Sequence, residues 1–549
     1  MGHGRHGPGI GRDFPRRPGL SITGHRPLLP PGIAVSLTDD RVRLANDRPP
    51  NTAGDYVLYW SQAYRRFDRN HALDHALHWA KELQKPLVVY EGLRLDYPWA
   101  SARHHTFLLE GMRDNARAAA KLSVNYWPYA ETPDGPARGL LRRLAGRSCL
   151  VVTDDSPAFI VPGQIRALAG KIDVPLMAVD GNSMVPLARL GAAVSAAAHL
   201  RPRIHKLFAE AWGHRAAAQP DIPQVARTKI DPLFPVWDHT ADVADFVAGL
   251  PIDQSVPPVH DTPGGSVAGR AVLKTFLKDK LPRYADGRNG PDDPRRTAAS
   301  RLSPYLRSGH LSVQECVEAV LTHAGPWSPD DIDMTQKNKR EGFYHADANV
   351  NSFLDEAVTW RDVGYHWQFC RNAERGVPKP SQFDLDGEAV PVYFDLASTL
   401  PAWVLKSLDA HAGDPRAHSY TLAEWEAGVT HDPLWNAAQK ELVVTGRIHN
   451  YLRMLWGKKV LEWSETPERA YAVLEHLNNK YAIDGRDPNS YSGILWCFGL
   501  FDRPWPPDRP VFGNVRYMSS DNTAKKYDLD GYYAYVKQLP ALVARPQSQ

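Results

Sequence analysis

The sequence predicts an α/β protein in two parts, an N-terminal doubly wound domain on a parallel sheet and an all-helical C-terminal domain. Three observations carry this. Between residues 55 and 200, short apolar runs alternate with stretches of helical spacing, and strand–helix–strand order implies parallel pairing through right-handed crossovers. From about residue 264 the apolar positions keep helical spacing, and no strand alternation is convincing. The chain has 549 residues, more than one hydrophobic core organises.

Residues 1–50, rich in Gly, Pro and Arg, read as a flexible basic arm. Tyr56–Trp60 reads as a buried strand, His71–Leu83 as a helix and Leu87–Tyr90 as a second strand. Arg103–Leu122 is a long amphipathic helix. Val124–Trp127, Cys149–Val152 and Leu176–Val179 complete the strands, with helices near 137–146 and 163–170. Residues 51–200 therefore form the α/β domain. Its first strand is not followed by GxGxxG, so a standard dinucleotide site is not expected there. The proline-rich stretch 201–262 reads as a linker between domains. Residues 263–540 form the helical domain, with helices at Val267–Leu281, Leu311–Ala324, Val350–Cys370, Thr421–Gly428, Leu434–Trp456 and Pro467–Tyr481. The last opens with Thr466 as N-cap and Pro467 at the first helical position. Gly, Pro and Asp in 371–395 mark a surface insertion.

Composition narrows the function. Hydrophobic content of 43% and charged content of 23% describe an ordinary globular chain. The formal net charge of +3 gives no global basic field, so any nucleic-acid surface is a local patch. Cys149, Cys316, Cys370 and Cys497 are too scattered for a zinc or iron–sulfur site, so no metal is expected and the thiols read as free. No apolar run is long enough to span a bilayer, and no signal peptide is evident, so a cytoplasmic chain is expected, nucleoid-associated if bacterial. Ten of the 16 tryptophans lie between Trp327 and Trp505. Such density means a large core or a flat ligand platform, and by composition both stay open.

The segment Ala299-Ser300-Arg301-Leu302-Ser303-Pro304-Tyr305-Leu306 opens a helix with small polar residues. Free backbone N–H groups and hydroxyls there suit either a phosphate or an ordinary helix cap. This loop resembles the flavin-phosphate loop of the photolyase and cryptochrome family. Asp55-Tyr56-Val57-Leu58-Tyr59-Trp60 with Arg69-Asn70-His71-Ala72-Leu73 is similar to the opening of that family's antenna domain. Thr430-His431-Asp432-Pro433-Leu434-Trp435-Asn436-Ala437-Ala438-Gln439, Leu477-Asn478-Asn479-Lys480-Tyr481 and Asp484-Gly485-Arg486-Asp487-Pro488-Asn489-Ser490-Tyr491 resemble the class II cyclobutane pyrimidine dimer photolyases in particular. The resemblance runs from about 50 to 535.

It implies an antenna domain, a helical domain holding FAD, and light-driven splitting of pyrimidine dimers in UV-damaged DNA, single- or double-stranded, by a monomer. An antenna chromophore, deazaflavin or folate, is a second implied cofactor. By the same resemblance, Tyr284, Arg288, Asn289, Ala299, Ser300, Arg301, Leu302 and Ser303 contact FAD. Arg453 and Asn478 face its reactive edge, although by their residue types alone these two fit a helix–helix hydrogen bond as well. Glu356 and Trp360, four apart on one helix face, line the pocket for the flipped dimer. Trp496 is its second wall, and the lesion is expected to be sandwiched between the two indoles. Trp435, Trp456 and Trp463 match a tryptophan chain for electron transfer. Trp456 and Trp463, seven apart on a continuous helix, would lie about 10 Å apart on one face. Arg516, Lys525 and Lys526 are placed against DNA phosphates, though the two lysines fit a solvated basic face equally. The sequence departs from the family at Arg307-Ser308, at Tyr365-His366-Trp367-Gln368, and at Asn514, where a lysine is more usual. The rival readings are a cryptochrome-like photoreceptor without repair activity and a DNA-binding protein that merely retains FAD. The presence of Glu356, Trp360 and Trp496 favours repair.

Overall fold

A run such as Tyr56–Ser61, six residues without a charge, can leave neither face to water. All six are buried, and they form β2 (Tyr56–Ser61) at the centre of a six-stranded sheet. The computed structural model describes residues 39–135 and 137–543. The other strands are β1 (Val42–Leu44), β3 (Leu87–Leu93), β4 (Asn125–Ala130), β5 (Ser148–Asp154) and β6 (Leu176–Val179), in the order β1-β6-β5-β2-β3-β4. All neighbours are parallel except β1 against β6. Helices α1 (His71–Glu82), α2 (Ala102–Leu122), α3 (Leu140–Arg147) and α4 (Val161–Ala169) make the crossovers. Asn70 opens α1 by accepting the N–H groups of Ala72 and Leu73 at 3.0 and 3.2 Å.

Strand β1 corrects the reading of residues 1–50 as an arm without regular structure. Its three residues pair with Val179, Ala178 and Met177. Next to it, buried Arg41 donates to the carbonyls of Asp180, Ser183 and Met184 at 3.0, 3.3 and 2.7 Å. A three-residue strand with an arginine in its middle is too short for alternation to register. The remainder of the expected arm, residues 1–38, lies outside the described residues.

The stretch expected as a linker, 201–262, is pinned along the α/β half. Ile230 N donates to Asn125 Oδ1 at 3.1 Å and Trp237 N to Pro128 O at 2.8 Å. It begins inside a helix, α5 (Ala197–Gly213), whose Leu200, Ile204 and Phe208 enter the core of the helical half.

Among the described residues, that half is helical apart from one hairpin, β7 (Ser381–Leu385) and β8 (Glu388–Val392), within the expected insertion. The helix expected over Val350–Cys370 is three consecutive pieces: α6 (Ala348–Leu354), a π-helical turn over Asp355–Trp360, and α7 (Arg361–Arg375). Four further helices build the site: α8 (Pro433–Thr445), α9 (Asn450–Trp463), α10 (Pro467–Tyr481) and α11 (Pro488–Cys497). Among the described residues, no helix is long and apolar enough to cross a membrane.

Candidate active site

The π turn sets the first part of the site. A π turn widens the spacing of a shared face from four residues to five, and such turns mark functional positions in many helices. Trp360 accordingly reaches back five residues, and its Nε1 donates to Asp355 Oδ2 at 3.0 Å. Asp355 is in turn gripped by Arg201 of α5 through two bonds of 2.8 and 3.0 Å, a buried bidentate pair. Glu356, next in the turn, pairs with Arg288 at 2.7 Å and has Arg340 at 4.0 Å. Burial pushes the Glu356 carboxyl above its ordinary value, the Arg288 charge opposes that, and Asp355 adds to it.

Trp496, near the end of α11, meets Trp360 with ring centroids 5.6 Å apart and planes inclined by 28°. This corrects the expected sandwich. A base between two rings needs about 7 Å between planes, twice the stacking rise of a nucleic-acid strand. The indoles instead form one continuous, partly exposed apolar surface, backed by Phe501 against Trp496 at 5.7 Å. The end of α11 is held by buried Lys458 of α9, whose Nζ donates to Cys497 O at 2.6 Å. Burial lowers that ammonium to about 8.

The second part lies behind this surface. Arg288 sits over the ring of buried Tyr284 at 5.6 Å and so joins the predicted cofactor side to Glu356. Arg453 bonds Asp484 at 3.1 Å, and Ser303 Oγ donates to the other Asp484 oxygen at 2.8 Å. Asn478 is buried and donates to Ser490 Oγ and, at 3.3 Å, to Asn479 Oδ1. The loop before Ser303 is irregular: Arg301 is left-handed at φ 60°, Ser300 Oγ accepts Leu302 N at 3.5 Å, and Ala299 N donates to Thr297 Oγ1 at 3.2 Å. Asn289 is not brought in. It is exposed and bonds back to Ala285 O at 3.2 Å.

Two observations show that these residues fit a flavin nucleotide. Nε of Arg288 and Nε of Arg453 are buried donors without an acceptor in the protein. Lys280, Arg301 and Arg447 converge at the Ala299 loop, where Lys280 Nζ donates to Ala299 O at 3.2 Å. Burial, then the charges of Arg301 and Arg447, lowers Lys280 to about 8. Asp261 pairs with Arg447, and Glu441, pushed up to about 7 by burial, also faces Arg301 and Arg447; among the described residues neither Lys280 nor Arg301 has an ion-pair partner, which leaves them to a phosphate. Lys280 and Arg447 were not anticipated from the sequence, because both lie outside the loop's own segment and Lys280 is one of several neighbouring basic residues.

The three tryptophans expected as an electron-transfer chain, Trp435, Trp456 and Trp463, are all buried. Trp456 and Trp463 do share α9, but Trp456 stacks on Trp435 of α8, with centroids 6.3 Å apart and planes at 8°. On the surface, Arg516 and Arg503 flank Trp505, at 4.9 and 5.1 Å from its ring. Trp505 is 36% exposed, another platform that the sequence left unassigned. Lys526 packs on Tyr451 and Tyr527 at 5.1 and 5.0 Å, while Lys525 is exposed. Asn514 uses its side chain on Asp508 at 3.3 Å.

A separate cavity of about 1180 Å³ opens at the carboxyl ends of β2, β3 and β5, where the strand order reverses. Asp154 orders its rim by accepting the N–H groups of Gln62, Ala63 and Tyr64 at 2.8, 2.7 and 2.8 Å. Trp60, Tyr90 and Tyr97 supply aromatic lining, and Arg307, Arg361 and Arg486 supply charge. Burial and the neighbouring Arg307 lower Arg486 to about 9, and its Nε lacks an acceptor. Arg307, a departure from the family pattern, therefore faces this cavity.

No family model matches the chain. It is 32% identical over 504 residues to a deoxyribodipyrimidine photo-lyase of Methanothermobacter thermautotrophicus, covering 91% of this chain and 98% of that one. It is 33% identical over 540 residues to the enzyme of the same name from Oryza sativa, covering 95% of each. A class III photolyase from Agrobacterium tumefaciens has a similar fold, with a TM-score of 0.56 at 17% identity over 90% of this chain and 86% of that one. A Synechocystis cryptochrome gives a TM-score of 0.56 at 15% identity over 92% and 91%. Identity near a third along almost the whole of both chains is more than a shared fold, and the chain belongs to the deoxyribodipyrimidine photo-lyase family.

Proposed function

We propose that the chain is a class II photolyase that binds UV-damaged DNA, takes up a flipped cyclobutane pyrimidine dimer and splits it under light. FAD, bound in reduced form and excited, supplies the one electron that opens the cyclobutane ring and receives it back, so the reaction is redox-neutral. The chain's own residues position and polarise. Trp360 and Trp496 offer a surface on which the bases of the dimer stack, each contact worth about 1–3 kcal/mol and offsetting the few kcal/mol of flipping. Glu356, whose carboxyl is pushed up by burial against the pull of Arg288, is the acid placed to hydrogen-bond a thymine carbonyl as charge develops there. Arg453 and Asn478 attend the flavin ring, and Tyr284, Arg288, Arg301, Ser303, Lys280 and Arg447 its nucleotide part. Arg516, Lys525 and Lys526 neutralise DNA phosphates.

The observation that carries this reading is the Arg288–Glu356 pair at 2.7 Å, which couples the lesion acid to the cofactor side through one guanidinium. The cavity at the carboxyl ends of the central strands suits an aromatic, anionic antenna chromophore, a reduced deazaflavin or a folate. The test is illumination of reduced holoprotein with an oligonucleotide carrying one thymine dimer. Intact thymines should return in the light and none in the dark. Dimers that survive illumination would favour the cryptochrome-like reading instead.

A further inference from the structure

The side chains around Trp456 trace a path that its own helix does not. Trp456 lies parallel to Trp435 at 6.3 Å. Trp435 meets Trp425 edge to face, with centroids 4.8 Å apart and planes at 62°. Trp425 then lies parallel to Trp463, at 6.0 Å and 11°. These four rings are all buried, Trp425 completely. Trp425 belongs to the short helix Leu422–Ala427, which is fixed by a capping box between Thr421 and Glu424.

Packing alone does not account for an indole at this position. Trp425 Nε1 is buried and has no acceptor, whereas a phenyl ring would strand no donor. Its neighbours are satisfied: Trp435 Nε1 donates to Trp456 O at 3.1 Å and Trp456 Nε1 to Gln439 Oε1 at 3.0 Å.

We propose that Trp425 is the link between Trp435 and Trp463 in the electron relay that photoreduces the flavin, so that the path runs Trp456, Trp435, Trp425, Trp463. This rests on reading Trp435, Trp456 and Trp463 as that relay. One electron passes from Trp456 to the light-excited flavin, and Trp456 is refilled from Trp435, that ring from Trp425, and that ring from Trp463. Trp463 is refilled by an external thiol; two thiols joining as a disulfide release two electrons and two protons. The inner N–H groups face a carbonyl, an amide and, at Trp425, nothing. None is a base, so no proton leaves and the oxidised site moves on rather than being trapped. The path ends beside exposed His418 and His431, whose rings lie 6.5 and 4.7 Å from Trp463. Lys459 sits over Trp463 at 5.4 Å, but its charge is balanced by Glu462 at 2.7 Å.

The test uses full-length holoprotein with oxidised flavin, thiol and blue light. Laser-flash absorption follows the indole radical, and steady illumination follows flavin reduction. Trp425→Phe should lower the yield of the long-lived radical and the photoreduction rate by about tenfold or more, with flavin content and melting temperature kept. Trp456→Phe should abolish both. If Trp425→Phe photoreduces like the parent while Trp456→Phe does not, Trp425 only packs and the inference is overturned, with the relay intact. If Trp456→Phe also behaves like the parent, the relay reading itself fails. Should Trp425→Phe lose its flavin, Trp425→Tyr decides in its place: a phenol must shed a proton on oxidation, finds no acceptor there, and should block equally.

Discussion

Asp355 holds the indole N–H of Trp360 at 3.0 Å, while Arg201, 154 residues earlier, holds Asp355 through both oxygens. The ring on which a base would stack is thus oriented by a buried ion pair with α5. Removing one member of such a pair leaves an unpaired buried charge. Asp355→Ala should therefore lower stability by about 3–5 kcal/mol, read by denaturant unfolding. The double variant Arg201→Met/Asp355→Leu should recover most of that loss but not lesion affinity, because Trp360 stays unanchored.

Because Trp360 and Trp496 touch, their contributions to lesion binding should not add. Each change to alanine should weaken binding of dimer-containing DNA by about 1–3 kcal/mol. The double change should cost less than the sum, since each single change also exposes the remaining ring. Titrations with dimer-containing and undamaged duplexes measure the difference.

Much of this arrangement was legible in the chain. Charge-free runs such as Tyr56–Ser61 and Leu176–Val179 announce strands buried on both faces, and the alternation with helices fixes their parallel pairing. Glu356, Trp360 and Trp496 stand out through the family's motifs; the two indoles stack on each other, while Glu356 turns to Arg288. What the sequence concealed has physical reasons. A π turn leaves no mark on an apolar pattern, so Asp355 was not seen beside Trp360. The grip of Arg201 depends on a pairing that no local rule encodes. A lone tryptophan such as Trp425 reads as core until its neighbours are known. The expected sandwich failed because residue type gives no ring separation.

Glu475 on α10 gives a pH dependence unconnected with the lesion. It is fully buried, accepts the N–H of Tyr393 at 3.2 Å, and is pushed up to about 8, chiefly by burial. A carboxyl raised in the folded state favours folding below its unfolded value and withdraws that support as pH rises through the folded one. Glu475→Gln keeps an acceptor for Tyr393 and cannot ionise. Parent and variant should be equally stable near about pH 4, and the variant the more stable by roughly 3–5 kcal/mol near about pH 9. Urea unfolding at the two pH values checks this.

Arg516, stacked on Trp505, is placed to neutralise a phosphate. Arg516→Ala should weaken binding to any DNA sequence and reduce the slope of log affinity against log salt by about 0.9. An unchanged slope would remove Arg516 from the interface.

The central claim is that the Trp360–Trp496 surface beside Glu356 receives a dimer turned out of the duplex. The most direct measurement places 2-aminopurine opposite a thymine dimer and follows its fluorescence, which brightens when the lesion leaves the stack. The parent protein should brighten it in the dark, and Trp360→Ala/Trp496→Ala, at concentrations that still saturate the DNA, should not. Equal brightening by the double variant would contradict the assignment of this surface.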